Sequence, residues 1–210
     1  MKRILIVDDH AVLRDGVKRL FDEQAGTISF GEAKSGHEAL KLVREEEWDI
    51  VVLDLSLGDR SGLDVLKALK QLRPRLPVLI LSMHTEVQFA RRAFKAGAAG
   101  YITKDSSRSE LTKAIHKVME HGRYVSPAFA EQMVVDIGRD ADRPRHETLS
   151  DREFEVMSLI ASGKTVGEIA RILSLSDSTI STYRARILEK MGMKTNAELT
   201  HYAIHNRLIG

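Results

Sequence analysis

Five times in roughly the first 120 residues, a short apolar run passes into a stretch whose apolar residues recur every three or four positions. Parallel strands need a long crossover between them, usually a helix. The alternation therefore predicts a parallel sheet with right-handed crossovers and helices on both faces. The runs are Lys2–Val7, Ile28–Ala33, DIVVLD at 49–54, Val78–Leu81 and Gly100–Thr103. The first helical pattern is carried by Val12, Leu13, Val17, Leu20 and Phe21, and the second, after Ser35-Gly36, by Ala39, Leu40 and Val43. Leu63, Leu66, Leu69 and Leu72 carry the third, stopped by Pro74 and Pro77, and the fourth spans Glu86 to Lys95 and closes at Gly97. Leu111, Ile115 and Val118 carry the fifth, from Ser107 to Glu120. DIVVLD shows no polar alternation, so both its faces are expected to be covered, as in a central strand.

In such a sheet Asp8, Asp9, Asp54, Ser82 and Lys104 emerge together at the carboxyl edge, where ligands of open α/β sheets collect. Taken singly, Asp54 fits a residue that turns the chain, Ser82 a helix N-cap, Tyr101 an amphipathic core residue and Lys104 a surface charge; their position as a set gives the functional reading. Three carboxylates raise one another's pKa when crowded, and a divalent cation resolves this. Hard oxygen ligands suit Mg²⁺. Asp54 is then the natural nucleophile toward a phosphoryl group, with Asp8 and Asp9 holding the metal, Lys104 pairing with phosphate and the Ser82 hydroxyl donating to it.

The segments ILIVDD, VLDLSLGDRSG, ILS and GYITKD resemble the four signature segments of a two-component receiver domain, over about the first 120 residues. The resemblance implies a flavodoxin-like strand order 2-1-3-4-5 and Asp54 as phosphoacceptor. It also implies a Mg²⁺ site of Asp8, Asp9, Asp54 and the Ser56 backbone carbonyl, and a Tyr101 that moves with Ser82 on phosphorylation. Gly58 and Asp105 stand where many receivers carry proline. Gly58 is expected to loosen its loop.

The 210 residues suffice for two small domains. A formal net charge of +2 implies no extreme partner, and the absence of cysteine excludes disulfides and thiol chemistry. No apolar run approaches the roughly 18 residues of a membrane span, and the N-terminus lacks an export signal, so a cytoplasmic protein is expected. The expected division is 1–121, a tether at 122–147 with a short helix after Pro127, and an all-helical domain at 148–210.

In that last part Ser150-x-x-Glu153 and Thr165-x-x-Glu168 are capping-box patterns, and Ser176-Asp177 suits a third N-cap. Phe154, Met157 and Ile160 are expected to turn inward from the first helix, and Ile169, Ile172 and Leu173 from the second. The short connection LSLS gives helix-turn-helix spacing. In the third helix Ile180, Tyr183, Ile187 and Met191 share one face, which leaves Ser178, Ser181, Thr182, Ala185 and Arg186 outward. From Ser178 to Lys194, Arg184, Arg186, Lys190 and Lys194 oppose only Glu189, which fits a phosphate-binding face or, equally, a solvated one.

The stretch from LSDREFEVM to KTNAEL closely resembles the LuxR-type DNA-binding domain of NarL/FixJ response regulators. The resemblance implies a four-helix domain whose third helix enters the major groove and whose fourth, from about Asn196 to Asn206, carries a dimer contact. The implied protein is a transcriptional regulator phosphorylated on Asp54 by a sensor histidine kinase, binding promoter DNA and forming a homodimer when phosphorylated or DNA-bound. Among the outward residues only Arg186 is long enough for bidentate guanine contact. Specificity is thus expected to lean on half-site spacing, DNA shape and water, with Arg184, Lys190 and Lys164 holding phosphates. An aspartyl-phosphate hydrolase would need a second acid two residues after its nucleophile, where this chain has Ser56. The protein is therefore not expected to be an enzyme.

Overall fold

The structure is a computed structural model that describes every residue except 23–25, 59, 84–86, 127–128, 131–143 and 210. It divides into two compact units, one built on a five-stranded sheet and the other on helices.

In the first unit β1 (Lys2–Val7), β2 (Ile28–Ala33), β3 (Ile50–Asp54), β4 (Val78–Ser82) and β5 (Gly100–Thr103) form a parallel sheet in the order β2-β1-β3-β4-β5. The helices α1 (Ala11–Arg19), α2 (Gly36–Glu45), α3 (Gly62–Leu72), α4 (Val87–Lys95) and α5 (Arg108–His121) alternate with the strands. β3 and β4 are buried at every position, which is why neither shows polar alternation. β2 is an edge strand and only partly buried, hence its weaker apolar signal.

One core joins Ile4, Ile6, Ile50, Val52, Leu79, Leu81 and Ile102 of the sheet to Val17, Phe21, Ala114, Ile115 and Val118. The alternate strand residues Leu5, Val51, Leu53 and Ile80 point to the other face and are also fully buried. Each such side chain contributes about 2 kcal/mol, so the strand tips stand on a stiff platform. Backbone pairing continues past those tips: the Asp8 N–H donates to the Ala33 carbonyl (3.1 Å) and the Lys104 N–H to the Ser82 carbonyl (2.8 Å).

The stretch 122–147, expected as a tether, is docked at both described ends. Tyr124 is buried, its N–H donates to the Ala99 carbonyl (2.8 Å) and its hydroxyl donates to Glu110 (3.2 Å). Phe129 is buried too, with ring centroids 6.0 Å from Tyr101 and 6.1 Å from Phe94. At the far end a 3-10 turn, Arg145–Thr148, sets His146 against Phe154 and Tyr202. A reading by charge and proline content undercounts these few rings, each of which buries a large apolar area. The helix expected after Pro127 lies largely outside the described residues.

The second unit contains α6 (Asp151–Ala161), α7 (Val166–Ile172), α8 (Asp177–Met191) and α9 (Asn196–His205). Both expected capping boxes are formed, and the Ser176 side chain accepts from the Thr179 N–H at the start of α8. Phe154, Met157, Ile160, Ile169, Leu173, Ile180, Ile187, Met191, Leu199 and Ala203 are buried.

Of the expected inward set, Tyr183 is only half-buried and Ile172 is 44% exposed. The buried stripe of α7 runs through Ile169, Ala170 and Leu173, and at 100° per residue Ile172 lies well off its centre. Val12, also apolar at helical spacing, is 85% exposed in the first turn of α1.

Candidate functional site

Asp8 follows β1, Asp54 ends β3, Ser82 ends β4 and Lys104 follows β5, so parallel pairing delivers all four to one edge of the sheet. The Lys104 ammonium bridges two of them, donating to Asp8 Oδ2 (2.8 Å) and Asp54 Oδ2 (2.7 Å). Asp8 and Asp54 are nearly inaccessible, and the Lys104 side chain is 10% exposed. Asp54 Oδ1 accepts from the Ser56 N–H (3.1 Å), which orients the carboxylate along the loop that follows it. That loop folds back through a bridge between Ser56 and Ser61, and the Gly62 N–H donates to the Leu55 carbonyl (2.8 Å). A Cβ at Gly62 would run into the Asp54 carbonyl and the Leu55 backbone, so glycine is what lets α3 start this close to the site.

Ser82 is fully buried beside Asp54's strand. Tyr101 lies within β5 opposite Ile80, 4% exposed, with its ring 23° from parallel to that of Phe129.

The charges at the edge compete. Burial pushes the Asp54 carboxyl up, the Lys104 charge lowers it and the Asp8 charge raises it, leaving a pKa of about 6. Burial pulls the Lys104 ammonium down, but the charge of Asp54 and the hydrogen bonds to Asp54 and Asp8 outweigh it, so its pKa is raised and it stays protonated. One ammonium thus faces more than one carboxylate. The ligand oxygens of Asp8, Asp9 and Asp54 and a ring nitrogen of His10 all lie within 4.8 Å of one another. Asp9 Oδ1 is buried without a hydrogen-bond partner, though His10 Nδ1 approaches to 2.7 Å. Three carboxylates converging on one point fit a hard divalent cation.

Sequence reasoning passed over His10. Its N–H donates to Asp8 Oδ1 (2.8 Å), and its ring reaches both Asp8 and Asp9. The signal was its place directly after the acidic pair.

In the second unit, α7 and α8 are joined by four residues, with Ser174 in the left-handed region at φ 51°. Ser178, Ser181, Thr182, Ala185 and Arg186 are exposed along α8. The Thr182 hydroxyl donates to the Ser178 carbonyl (2.9 Å), and the Ser178 and Ser176 hydroxyls are 2.8 Å apart. The expected phosphate-holding cations differ in freedom. Arg184 is tied to Asn196 Oδ1 (2.6 Å) and Lys190 to Glu153 Oε2 (2.7 Å). The side chains of Arg186 and Lys164 have no ion pair or hydrogen bond among the described residues, and both are exposed.

Residues 4–116 match the family model of the response regulator receiver domain, and residues 147–203 match that of the bacterial regulatory proteins of the luxR family. The chain is 33% identical to the response regulator UvrY of Escherichia coli K12 over 99% of its own length and 96% of that protein. It is 34% identical to the response regulator GacA of Pseudomonas aeruginosa over 100% and 98%. A crystal structure of a LuxR-family two-component response regulator from Aurantimonas sp. SI85-9A1 is 37% identical with a TM-score of 0.60, covering 65% of this chain and 98% of that one. With matches that span both units and relatives that run the full length, the chain belongs to the two-component response regulators of the NarL/FixJ class, transcriptional regulators that join a receiver domain to a LuxR-type DNA-binding domain.

Proposed function

We propose that Asp54 accepts a phosphoryl group from a sensor histidine kinase and that this modification sets how the chain binds promoter DNA. The observation that carries the reading is the buried pairing of Lys104 with both Asp54 and Asp8 at 2.7 and 2.8 Å. A pKa of about 6 leaves Asp54 mainly ionised at neutral pH, so one carboxylate oxygen can form the new P–O bond while the P–N bond to the donor histidine breaks. Lys104 then turns to the added phosphoryl oxygens, releasing Asp8. The Ser82 hydroxyl donates to the same oxygens, and Tyr101 follows it.

Asp8, Asp9, Asp54 and the Ser56 carbonyl would hold Mg²⁺. When bound, that ion offsets charge on the transferred group. No acid stands two residues beyond Asp54, where Ser56 lies, so the phosphoryl group is kept as a signal and the protein is not an enzyme.

On DNA, α8 occupies the major groove with Ser178, Ser181, Thr182, Ala185 and Arg186 toward it, and Lys164, Arg184 and Lys190 flank the phosphates. Two copies meet through α9 when phosphorylated or DNA-bound. The domain limits we adopt are 1–121 for the receiver, 122–147 for the linker and 148–210 for the DNA-binding domain. No helix among the described residues is long and apolar enough to cross a membrane, and we place the protein in the cytoplasm.

The test is incubation with acetyl phosphate and Mg²⁺, followed by intact mass. A stable gain of one phosphoryl group that is lost in Asp54→Asn supports the reading, and an unmodified protein refutes it.

A further inference from the structure

His201 and His205 stand one turn apart on α9, with parallel rings (5°) and centroids 6.5 Å apart. Both are exposed, and neither imidazole ring has a hydrogen bond or ion pair among the described residues. They border a concave surface of about 590 Å³ that also takes in Arg145, Glu198 and Tyr202. Those three are already engaged: Arg145 donates to the Met191 carbonyl, Glu198 accepts from the Lys194 N–H, and the Tyr202 hydroxyl meets His146.

Residues four apart on a helix are neighbours on its surface, so rotation about the side-chain bonds suffices to turn two imidazole nitrogens onto one ion at about 2.0–2.1 Å. Imidazole nitrogen selects zinc, nickel or copper over magnesium or calcium, which sets this pair apart from the oxygen-rich edge of the sheet. Two ligands leave a tetrahedral ion half coordinated. Ile204, on the same side of α9 and 61% exposed, supplies apolar surface that a second helix can cover. Ala197 adds little bulk between approaching backbones.

We propose that His201 and His205 chelate a divalent transition ion of the zinc class, and that the same two residues of a second copy complete its coordination, so that one ion clasps two α9 helices. The inference rests on the reading of α9 as the surface where two copies meet, and makes that contact responsive to metal.

The full chain, stripped with chelator, is titrated with Zn²⁺, and bound zinc and molar mass are followed together for wild type, His201→Ala, His205→Ala and the double variant. Alanine is a strong helix former and both positions are exposed, so circular dichroism should be unchanged. Zinc bound at the acidic edge is common to all four proteins, so only the difference counts. The expected result is one extra zinc per two wild-type chains with a doubling of mass on zinc addition, both lost in each single variant. Equal zinc in wild type and double variant overturns the proposal, as does one extra zinc per chain with no change in mass. A dimer on DNA in chelator, together with no difference in zinc, would sink the clasp and leave the α9 reading standing. Acetyl phosphate labelling of Asp54 in the same samples reports separately on the phosphoacceptor.

Discussion

Asp54 carries a charge that the fold makes costly to bury. Its folded pKa of about 6 lies above the ordinary 3.8, so between those values the folded chain holds a proton that the unfolded chain has released. Stability in chelator should therefore fall as pH rises from 4 to 6, by up to about 3 kcal/mol, and stay low above it. Asp54→Asn should flatten that slope and raise stability at pH 7.5 but not at pH 4, as read from urea midpoints. A pH slope unchanged by the substitution would contradict the burial argument. Gly62 makes the second residue-scale prediction. Gly62→Ala forces a methyl group against the Asp54 carbonyl and the Leu55 backbone, atoms that cannot swing aside. A loss of about 1–3 kcal/mol is expected, with slower acetyl phosphate labelling, because the loop that orients Asp54 must shift.

Among elements, the helices of the second unit share a way of ending. After α6, α7, α8 and α9 the chain enters the left-handed region at Gly163, Ser174, Gly192 and Arg207, and the next N–H reaches back to Leu159, Ala170, Leu188 and Ala203 at 3.1, 2.8, 2.8 and 2.8 Å. Glycine holds that position after α6 and α8. For the other two the left-handed backbone costs about 1–2 kcal/mol, partly offset in a glycine variant by the freedom its unfolded chain loses. Ser174→Gly should thus raise the thermal midpoint by a few degrees, corresponding to roughly 0.5–1 kcal/mol. A lower midpoint would show that the serine side chain matters there. The same scale separates the cations around α8. Arg184 and Lys190 already have partners in Asn196 and Glu153, whereas the side chains of Arg186 and Lys164 have none among the described residues. Lys164→Ala should weaken binding to all DNA sequences about equally and reduce the log–log salt slope by about 1. Arg186→Ala should relax preference at one base pair if it reads guanine, and lower all affinities alike if it holds phosphate.

For the whole molecule, a phosphoryl group shifts DNA binding only by its differential affinity for two states of the chain. Basal binding without phosphate is the expected consequence. Asp54→Asn should bind promoter DNA as the unmodified wild type does and show no tightening with acetyl phosphate, measured by fluorescence anisotropy at fixed salt. An Asp54→Asn protein that still tightened would place the signal elsewhere.

The order of strands and helices was legible in sequence because each element there carries its own periodicity and stop signals, as at Pro74, Pro77 and Gly97. The capping boxes at Ser150 and Thr165 were equally local, four residues each. So was the list of polar residues at the strand tips. Tertiary structure alone decided that Lys104 reaches both Asp8 and Asp54, since 96 and 50 residues separate them and only strand pairing closes those distances. It alone seated Tyr124 and Phe129 on the first unit, turned Val12 and Ile172 outward, and tied Arg184 to Asn196. The physical reason is the same throughout: periodicity and capping are settled within a turn or two of chain, whereas burial and pairing depend on which distant surface arrives opposite.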